Sequence, residues 1–195
     1  MMEAEGIYGE HLPEMEKIID EMKTRIDLLR EHIRQKRGMD PVEHCLSRIK
    51  SEDSMREKCR RKGLPETADS VLFQIHDAIG FRIVCAFVSD VYMIRDYLAD
   101  SDELEVIEEK DYIRNAKPNG YRSYHMILQT RGYYIEVQLR TISMDTWAAL
   151  EHHLKYKKQI SGNEDLIVKE LKRCADELAS TDVSMQTLRD MILDH

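Results

Sequence analysis

Two runs of alternating polarity on either side of the dipeptide Arg131-Gly132 constrain the fold of this chain more than any other feature. In the second run, YYIEVQLRT (133–141), Glu136 and Gln138 alternate with apolar residues, which is the period of a strand with one apolar and one polar face. A two-residue connection that ends in glycine is typical of a β-hairpin. The pattern therefore predicts an antiparallel hairpin with one face toward a core.

The register of this hairpin decides which polar side chains share a face. If the residues that flank the turn pair with each other, then Ile127 faces Glu136 and His125 faces Gln138, which collects the polar groups in one place. The preceding stretch KPNGYRSYH (117–125) contains Asn-Gly, a common turn signal. On its own this stretch predicts only a tight turn followed by a strand.

The periodicity of the remaining chain predicts helices, then a sheet, then helices. Pro13 suits the first turn of an amphipathic helix, Ser51 can cap a second helix, and Gly63 can end it. The predicted helices cover 13–36, 51–62, 89–100, 144–157 and 164–179, with a last helix around 183–193. The predicted strands are 81–88, 104–109, 121–130 and 133–141.

Charge is unevenly distributed, although the net charge is −8. Residues 48–62 hold seven cations against three acids, and residues 110–125 hold four cations against one acid. An acidic protein with two local basic patches favours small polyanions, such as nucleotides, over a long duplex. Each patch taken alone is equally typical of a solvated helix or loop face.

The cysteines and the apolar runs indicate the compartment. The four cysteines have no metal-binding spacing, and such sparse use predicts reduced thiols in a cytoplasmic protein. No stretch approaches the about 20 apolar residues of a membrane span, and the acidic start MMEAEGIYGE does not resemble a signal peptide. We therefore expect a soluble, cytoplasmic protein.

Two isolated acids lie where a sheet core is expected. Asp77 comes just before the apolar run 81–88, and Glu136 lies in mid-strand between apolar neighbours. A charged group so near a core usually needs a cation, a metal or a functional reason, although a surface-facing Glu136 would also satisfy the pattern. The motifs of P-loop, Rossmann, zinc-peptidase and serine-hydrolase proteins are absent.

Four segments together resemble, in spacing and in order, the synthetase domain of the RelA/SpoT homologues. They are SRIKSEDSMREKCRRKGLP, HDAIGFRIVCAFVSDVYMI, VIEEKDYIRNAKPNGYRSYH and EVQLRTISMDTWAALEHHLKYK. The length resembles that of the single-domain small alarmone synthetases. The resemblance implies an α+β fold related to the nucleotidyltransferases, in which helices flank a mixed β-sheet of about five strands. It also implies one domain over 1–195, with a catalytic core at about 40–158 and flanking helices at 12–36 and 163–193.

The activity implied by this resemblance is that of a GTP pyrophosphokinase (GTP diphosphokinase). Such an enzyme uses Mg²⁺ to transfer the pyrophosphate of ATP to the 3′-hydroxyl of GDP or GTP, which makes the stringent-response alarmone (p)ppGpp. Asp77 and Glu136 would hold the metal, and Glu136 could also be the general base. ATP would be bound by Arg48 and Arg82 on either side of adenine and by Lys50, Lys58 and Arg61 at its phosphates.

The acceptor nucleotide would lie against the stretch that follows Asn119-Gly120. By resemblance, Tyr121 would stack on guanine. Asp145 is our candidate for the contact with the edge of the base, because an aspartate could accept hydrogen bonds from the N1–H and N2–H of guanine. The remaining acceptor contacts would be Lys117, Arg122, His125 and Gln138.

Two departures limit what the resemblance implies. The stretch HCLSRIK lacks the aromatic residue and the threonine that many tetrameric members carry ahead of Arg-x-Lys, which argues against activation by product. Asp145 stands where relatives often have asparagine. A hydrolase-type His-Asp metal box is also absent, so degradation of the product is not expected.

Other functions stay open at this point. One is a related synthetase that pyrophosphorylates another 3′-hydroxyl, of an adenine nucleotide or a tRNA end; another is an inactive regulator that binds nucleotide or RNA. The presence of both acids argues against a pure binder, and the net acidity argues against tRNA. Neither DNA nor a membrane is an expected partner. The preferred acceptor, the product and its regulation are not determined by the sequence.

The terminal helices predict association between copies of the chain. They carry apolar stripes that a sheet of this size would leave partly uncovered, and the resemblance implies a homotetramer. The stripes are Ile18, Met22 and Ile26 in the first helix and Leu171, Leu178, Leu188 and Ile192 at the end of the chain.

Overall fold

The computed structural model describes residues 6–156 and 164–193. The helices are α1 (Leu12–Arg37), α2 (Glu52–Lys62), α3 (Val88–Ala99), α4 (Ile142–Tyr156) and α5 (Glu164–Leu193). The strands are β1 (Val42–Ile49), β2 (Ile79–Cys85), β3 (Glu105–Asp111), β4 (Tyr124–Thr130) and β5 (Tyr133–Thr141).

The strands form one mixed sheet in the order β1-β2-β5-β4-β3. β2 and β5 run parallel, and the other neighbours run antiparallel, which confirms the expected α+β fold. The hairpin and its register are also confirmed, since Ile127 pairs with Glu136 and His125 with Gln138. Arg131 and Gly132 both have positive φ, 50° and 84°, as the turn of a two-residue hairpin requires.

The main core lies on one face of the sheet, under α1 and α3. The inward residues of β5, such as Val137, are fully buried there. The α1 residues Ile18, Met22 and Ile26 belong to the same core and are at most 3% exposed. The expectation that this stripe is left for association was therefore wrong, because the helix uses it to cover the sheet.

A smaller apolar contact joins the other side of the sheet to α4 and α5. Trp147 on α4 is buried, and its indole N–H donates to the carbonyl of Leu171 on α5 at 2.9 Å. Thr141 at the end of β5 donates its hydroxyl to Asp182 of α5 at 2.5 Å. The expected break between two C-terminal helices is not observed, because no glycine or proline interrupts α5 and Asp182 is buried at mid-helix.

Several element boundaries differ from the prediction. Strand β1 was not predicted, since only its first residue is fully buried and its exposed edge carries polar groups. β2 begins two residues earlier and ends three residues earlier than 81–88, and β4 begins at Tyr124 rather than at Tyr121. Residues 157 and 163, at the ends of two predicted segments, lie outside the described ranges.

The edge strands β1 and β3 are both irregular. The pairing register shifts between Val42 and His44 in β1 and between Val106 and Glu108 in β3. The four cysteines are all free. Among the described residues, no helix combines the length and apolar character that crossing a membrane requires.

Candidate active site

The sheet face opposite the main core collects many of the residues that the family resemblance singles out. Two rows of paired residues cross the strands on this open face. In the first row, Arg48 on β1 pairs with Gly80 on β2, which pairs with Glu136 on β5. The second row runs through Leu46, Arg82, Gln138 and His125. Because Gly80 has no side chain, the first row leaves room between Arg48 and Glu136.

Asp77 lies in the turn just before β2 and is held by two lysines. Its Oδ2 accepts hydrogen bonds from Lys50 Nζ at 2.8 Å and from Lys58 Nζ at 2.5 Å. Burial alone would raise the pKa of Asp77, but these hydrogen bonds outweigh burial and lower the pKa below its ordinary value. The carboxylate is therefore ionised at neutral pH. Its Oδ1 is buried and makes no hydrogen bond.

The unpartnered oxygen of Asp77 suits a metal ligand, because a buried carboxylate oxygen needs a donor or a cation. Glu136 on the open face accepts one long hydrogen bond, from Gln138 Nε2 at 3.3 Å. Within 6–156 and 164–193, no group of three or more His, Cys, Asp or Glu residues could hold a metal. Magnesium does not need such a group, since it often binds one or two carboxylates and takes its other ligands from water and phosphates. The donor set thus fits magnesium.

Arg48 and Arg82 are diagonal neighbours on β1 and β2, so their Cα atoms are about 7–8 Å apart. Arg48 is exposed, and 38% of the Arg82 side chain is exposed. A planar guanidinium stacks well on an aromatic ring. The pair therefore offers two accessible planes between which one flat ring could bind.

The turn at 117–121 packs closely on α5. The N–H of Gly120 donates to the carbonyl of Lys117 at 2.8 Å, and the N–H of Tyr121 donates to Asn119 Oδ1 at 3.2 Å. Gly120 has a φ of 94°, and a Cβ built on it would lie 2.6 Å from the Cβ of Ala175. Glycine is needed here both for its backbone conformation and for the close approach of the helix. The predicted turn is confirmed.

Tyr121 is the centre of a hydrogen-bonded cluster just before and at the start of β4. Its hydroxyl lies 2.8 Å from His125 Nε2 and accepts a hydrogen bond from Arg140 Nη2 at 2.9 Å. Lys117 Nζ lies 4.9 Å from the centre of its ring. Burial, together with the charges of Arg140, Lys117 and Lys110, lowers the pKa of His125 to about 4. The imidazole is therefore neutral at pH 7, and its Nε2 can accept a hydrogen bond from the Tyr121 hydroxyl.

Arg140 is a candidate that the sequence analysis did not assign. Only 6% of its side chain is exposed, and a cation so deeply buried needs partners. It donates to Asp145 Oδ1, to Gln138 Oε1 and to the Tyr121 hydroxyl, each at 2.9 Å. It therefore ties together three of the predicted acceptor residues. The signal was present in the sequence, since Arg140 continues the polar alternation of Glu136 and Gln138.

Asp145 lies in the first turn of α4, as expected. Its Oδ1, which is bonded to Arg140, also lies 3.6 Å from Arg82 Nε. Its Oδ2 lies 3.9 Å from Nε2 of His44. The carboxylate thus uses Oδ1 for the arginines, which leaves Oδ2 as the oxygen to which a base could donate.

Two of the predicted phosphate contacts lie apart from this cluster. Arg122 donates to Asp176 on α5 at 2.9 Å and to the carbonyl of Gly120 at 3.2 Å, so it holds the turn against α5. Arg61 lies on the exposed side of α2. The phosphate roles of both residues stay predictions.

Comparisons with known proteins agree with these observations. Residues 47–161 match the model of a family described as the region found in RelA / SpoT proteins. Over 169 residues the chain is 38% identical to the GTP pyrophosphokinase YwaC of Bacillus subtilis, which covers 81% of this chain and 79% of that protein. The crystal structure of small alarmone synthetase 2 from Bacillus subtilis matches with a TM-score of 0.81 at 33% identity, over 93% of this chain and 98% of that one. That of small alarmone synthetase 1 from the same organism, bound to its product pppGpp, matches with a TM-score of 0.77 at 29% identity, over 91% and 94%.

Proposed function

Because the chain belongs to the family of the region found in RelA / SpoT proteins, we propose that it is a GTP pyrophosphokinase that makes (p)ppGpp. It transfers the pyrophosphate of ATP to the 3′-hydroxyl of GDP or GTP. A bond forms between the 3′-oxygen and the β-phosphorus, the bond from the β-phosphorus to the α-phosphate oxygen breaks, and AMP leaves. The observation that carries the proposal is the position of Glu136 on β5, between Arg48 on β1 and His125 on β4 in strand order.

The donor side binds ATP through the first basic patch. Arg48 and Arg82 hold adenine between their guanidinium planes, a proposal that their accessible diagonal positions support. Lys50 and Lys58 hold the phosphates, with Arg61 at the exposed rim. Both lysines are already directed to one place by Asp77, which reduces the ordering that phosphate binding requires.

The reacting centre lies at Asp77 and Glu136. These two carboxylates hold magnesium, which supplies electrostatic stabilisation of the phosphoryl oxygens when it is bound. Glu136 is also placed to accept the proton of the attacking 3′-hydroxyl. Among the described residues only Gln138 donates a hydrogen bond to it, at 3.3 Å, which supports either task.

The acceptor side binds guanosine on Tyr121. Lys117, Arg122 and His125 approach its phosphates, and Gln138 adds a contact on the open face. Because stacking tolerates any base, the choice of guanine needs an edge contact. We assign that contact to Asp145 Oδ2, since a carboxylate accepts from the two donors of guanine but meets the N1 lone pair of adenine unfavourably.

The activity is tested with purified protein, ATP, magnesium and one candidate acceptor at a time. GMP, GDP, GTP, ADP and tRNA serve as acceptors, and the products are separated by anion exchange. We expect AMP and a more highly charged guanosine nucleotide with GDP or GTP. A product with ADP or tRNA alone would identify a different synthetase, and no product with any acceptor, at nucleotide concentrations that saturate binding, would indicate an inactive binder.

The edge contact is tested with Asp145→Ala. This variant should narrow the ratio of kcat/KM for GDP over ADP, because the edge contact acts on the base and not on the phosphates. Tyr121→Ala is the matched control, since it should weaken both acceptors alike. An unchanged ratio in Asp145→Ala, with a lowered melting temperature, would reduce Asp145 to a structural residue.

We also propose that the protein is a cytoplasmic homo-oligomer, most simply a tetramer. The support lies in α5, where seven apolar residues are at least half exposed: Leu166, Val183, Met185, Leu188, Met191, Ile192 and Leu193. Light scattering at micromolar concentration should give a tetramer, and Leu188→Asp with Ile192→Asp should shift it toward smaller species. A monomeric wild-type protein would refute the proposal.

A further inference from the structure

One carboxylate oxygen lies between two guanidinium groups on the open face of the sheet. Asp145 Oδ1 accepts a hydrogen bond from Arg140 Nη1 at 2.9 Å and lies 3.6 Å from Arg82 Nε. Arg82 and Arg140 are diagonal neighbours on the adjacent strands β2 and β5, because Arg82 pairs with Gln138. Two cations at such positions repel each other, so the carboxylate between them determines how closely both can be held.

The two arginines serve different substrates in the proposed reaction. Arg82 belongs to the adenine site. Arg140 donates to the Tyr121 hydroxyl and to Gln138 Oε1, which are both acceptor contacts. Asp145 is therefore a shared anion that touches the donor site through one arginine and the acceptor site through the other.

The state of the Arg82 side chain indicates how this contact would act. Its Nε is buried and makes no hydrogen bond, although it lies 3.6 Å from Asp145 Oδ1. A buried N–H without a partner is costly, and a shift of about half an ångström would bring it within hydrogen-bond distance. By contrast, Arg140 is already bound to Asp145 and to the acceptor residues. A ligand that holds the Tyr121 cluster in place therefore also holds Asp145 Oδ1, the acceptor that Arg82 Nε needs for a hydrogen bond.

We infer that Asp145 is a positioning residue that couples the binding of ATP to the binding of the guanosine acceptor. Acceptor binding restricts the motion of the pair that Arg140 and Asp145 already form, and the restricted carboxylate completes the hydrogen bonding of Arg82 beside adenine. The second nucleotide then binds to a site whose ordering has already occurred. By linkage the effect is reciprocal, so ATP strengthens acceptor binding by the same factor. The inference rests on the proposed function, since it takes one arginine from each substrate site.

The coupling is measured by titrating the whole protein with a non-hydrolysable ATP analogue, with and without saturating GDP. The ratio of the two dissociation constants is the coupling factor. For wild type we expect tighter binding in the presence of GDP by about fivefold or more, the lower range of energetic coupling between sites. Asp145→Asn removes the charge and one of the two carboxylate oxygens, so GDP alone should bind more weakly. The coupling factor, which compares the two affinities for the ATP analogue within this variant, should fall below about twofold.

Three further variants test whether a fall in the coupling factor has a general cause, such as loss of a negative charge or partial unfolding. Asp102→Asn makes the same change at an exposed position in the turn before β3 and should keep the wild-type coupling factor. Asp145→Glu retains the charge and should keep more coupling than Asp145→Asn. Arg82→Lys replaces the guanidinium by a point charge and should also lower the factor. Because the factor is a ratio within one protein, weaker stacking on adenine cancels from it.

The outcomes distinguish this inference from the proposed function. If wild type binds both nucleotides with a coupling factor of one, or if Asp145→Asn retains the wild-type factor, the coupling role is overturned while the activity stands. If Asp145→Asn does not fold, Arg82→Lys decides, and an undiminished factor there overturns the inference. If wild type binds neither nucleotide, the proposed function itself fails.

Discussion

Replacing Gly120 by alanine tests whether the acceptor turn depends on its contact with α5. The new Cβ would meet Ala175 Cβ at 2.6 Å and Lys172 Cα at 3.0 Å, and the backbone would hold an L-residue at a φ of 94°. The backbone strain costs about 1–3 kcal/mol, and overpacking costs about another 1–3 kcal/mol. We therefore expect Gly120→Ala to lower the free energy of unfolding by about 2–6 kcal/mol.

Two matched variants separate strain from overpacking. Gly132 also has a positive φ, but no atom lies within 4 Å of a Cβ built there, so Gly132→Ala should lose only the about 1–3 kcal/mol of backbone strain. Ala175→Gly removes the closest contact at the cost of about 1 kcal/mol of helix propensity. When it is combined with Gly120→Ala, it should restore part of the stability that overpacking removes. It should not restore all of it, because the new Cβ still meets the backbone of Lys172.

The assay is urea unfolding followed by circular dichroism, with the coupling energy taken from the double-mutant cycle. At about 2–4 °C for each kcal/mol, the loss in Gly120→Ala should also be visible in thermal melts. The KM for GDP should rise in the same variant, since the turn carries Lys117 and Tyr121. If Gly120→Ala is as stable as Gly132→Ala, or if the cycle gives no coupling energy, the turn does not depend on α5.

Further substitutions test the chemistry and its pH dependence. Asp77→Asn and Glu136→Gln should each leave a folded protein whose transfer rate is lower by about a hundredfold or more, and near-normal turnover at saturating magnesium would contradict the assigned role. Tyr121→Ala should weaken acceptor binding by about 1–3 kcal/mol, the range for base stacking, with calorimetry showing unchanged affinity for ATP. The pKa of His125 lies at about 4, below that of an unfolded histidine. Stability should therefore fall as pH drops from about 6.5 to about 4, by about 3 kcal/mol at most, and His125→Gln, compared by urea unfolding at both pH values, should lose much of this slope.

The sequence predicts which side chains share the open face wherever polar and apolar residues alternate along a strand. The pairing of His125 with Gln138 was predicted on the assumption that the residues flanking the two-residue turn pair with each other, and the structure confirms it. The same alternation contained Arg140, but its burial was not predictable. In the fold its side chain is inaccessible and bonds Asp145 on α4, which is a contact between separate elements.

Long-range packing also explains the errors. The stripe of Ile18, Met22 and Ile26 was predicted to contact another copy of the chain. The apolar area of the sheet that a helix must cover cannot be read from the sequence. The pairing of Arg122 with Asp176 on α5 was likewise not foreseen, and the phosphate role of Arg122 stays a prediction. Periodicity describes each element separately, whereas these partners depend on how two elements meet.

The irregular edges of the sheet also limit how copies of this protein can come together. β1 and β3 end the sheet, and each is interrupted by a register shift. Such bulges, along with charged residues such as Glu43 and Glu105, prevent an edge strand from adding the strand of another molecule. A continuous sheet across two subunits, and the fibre growth that it permits, is thereby disfavoured. Contacts between copies of the chain are therefore expected to use helices such as α5, and not the edges of the sheet.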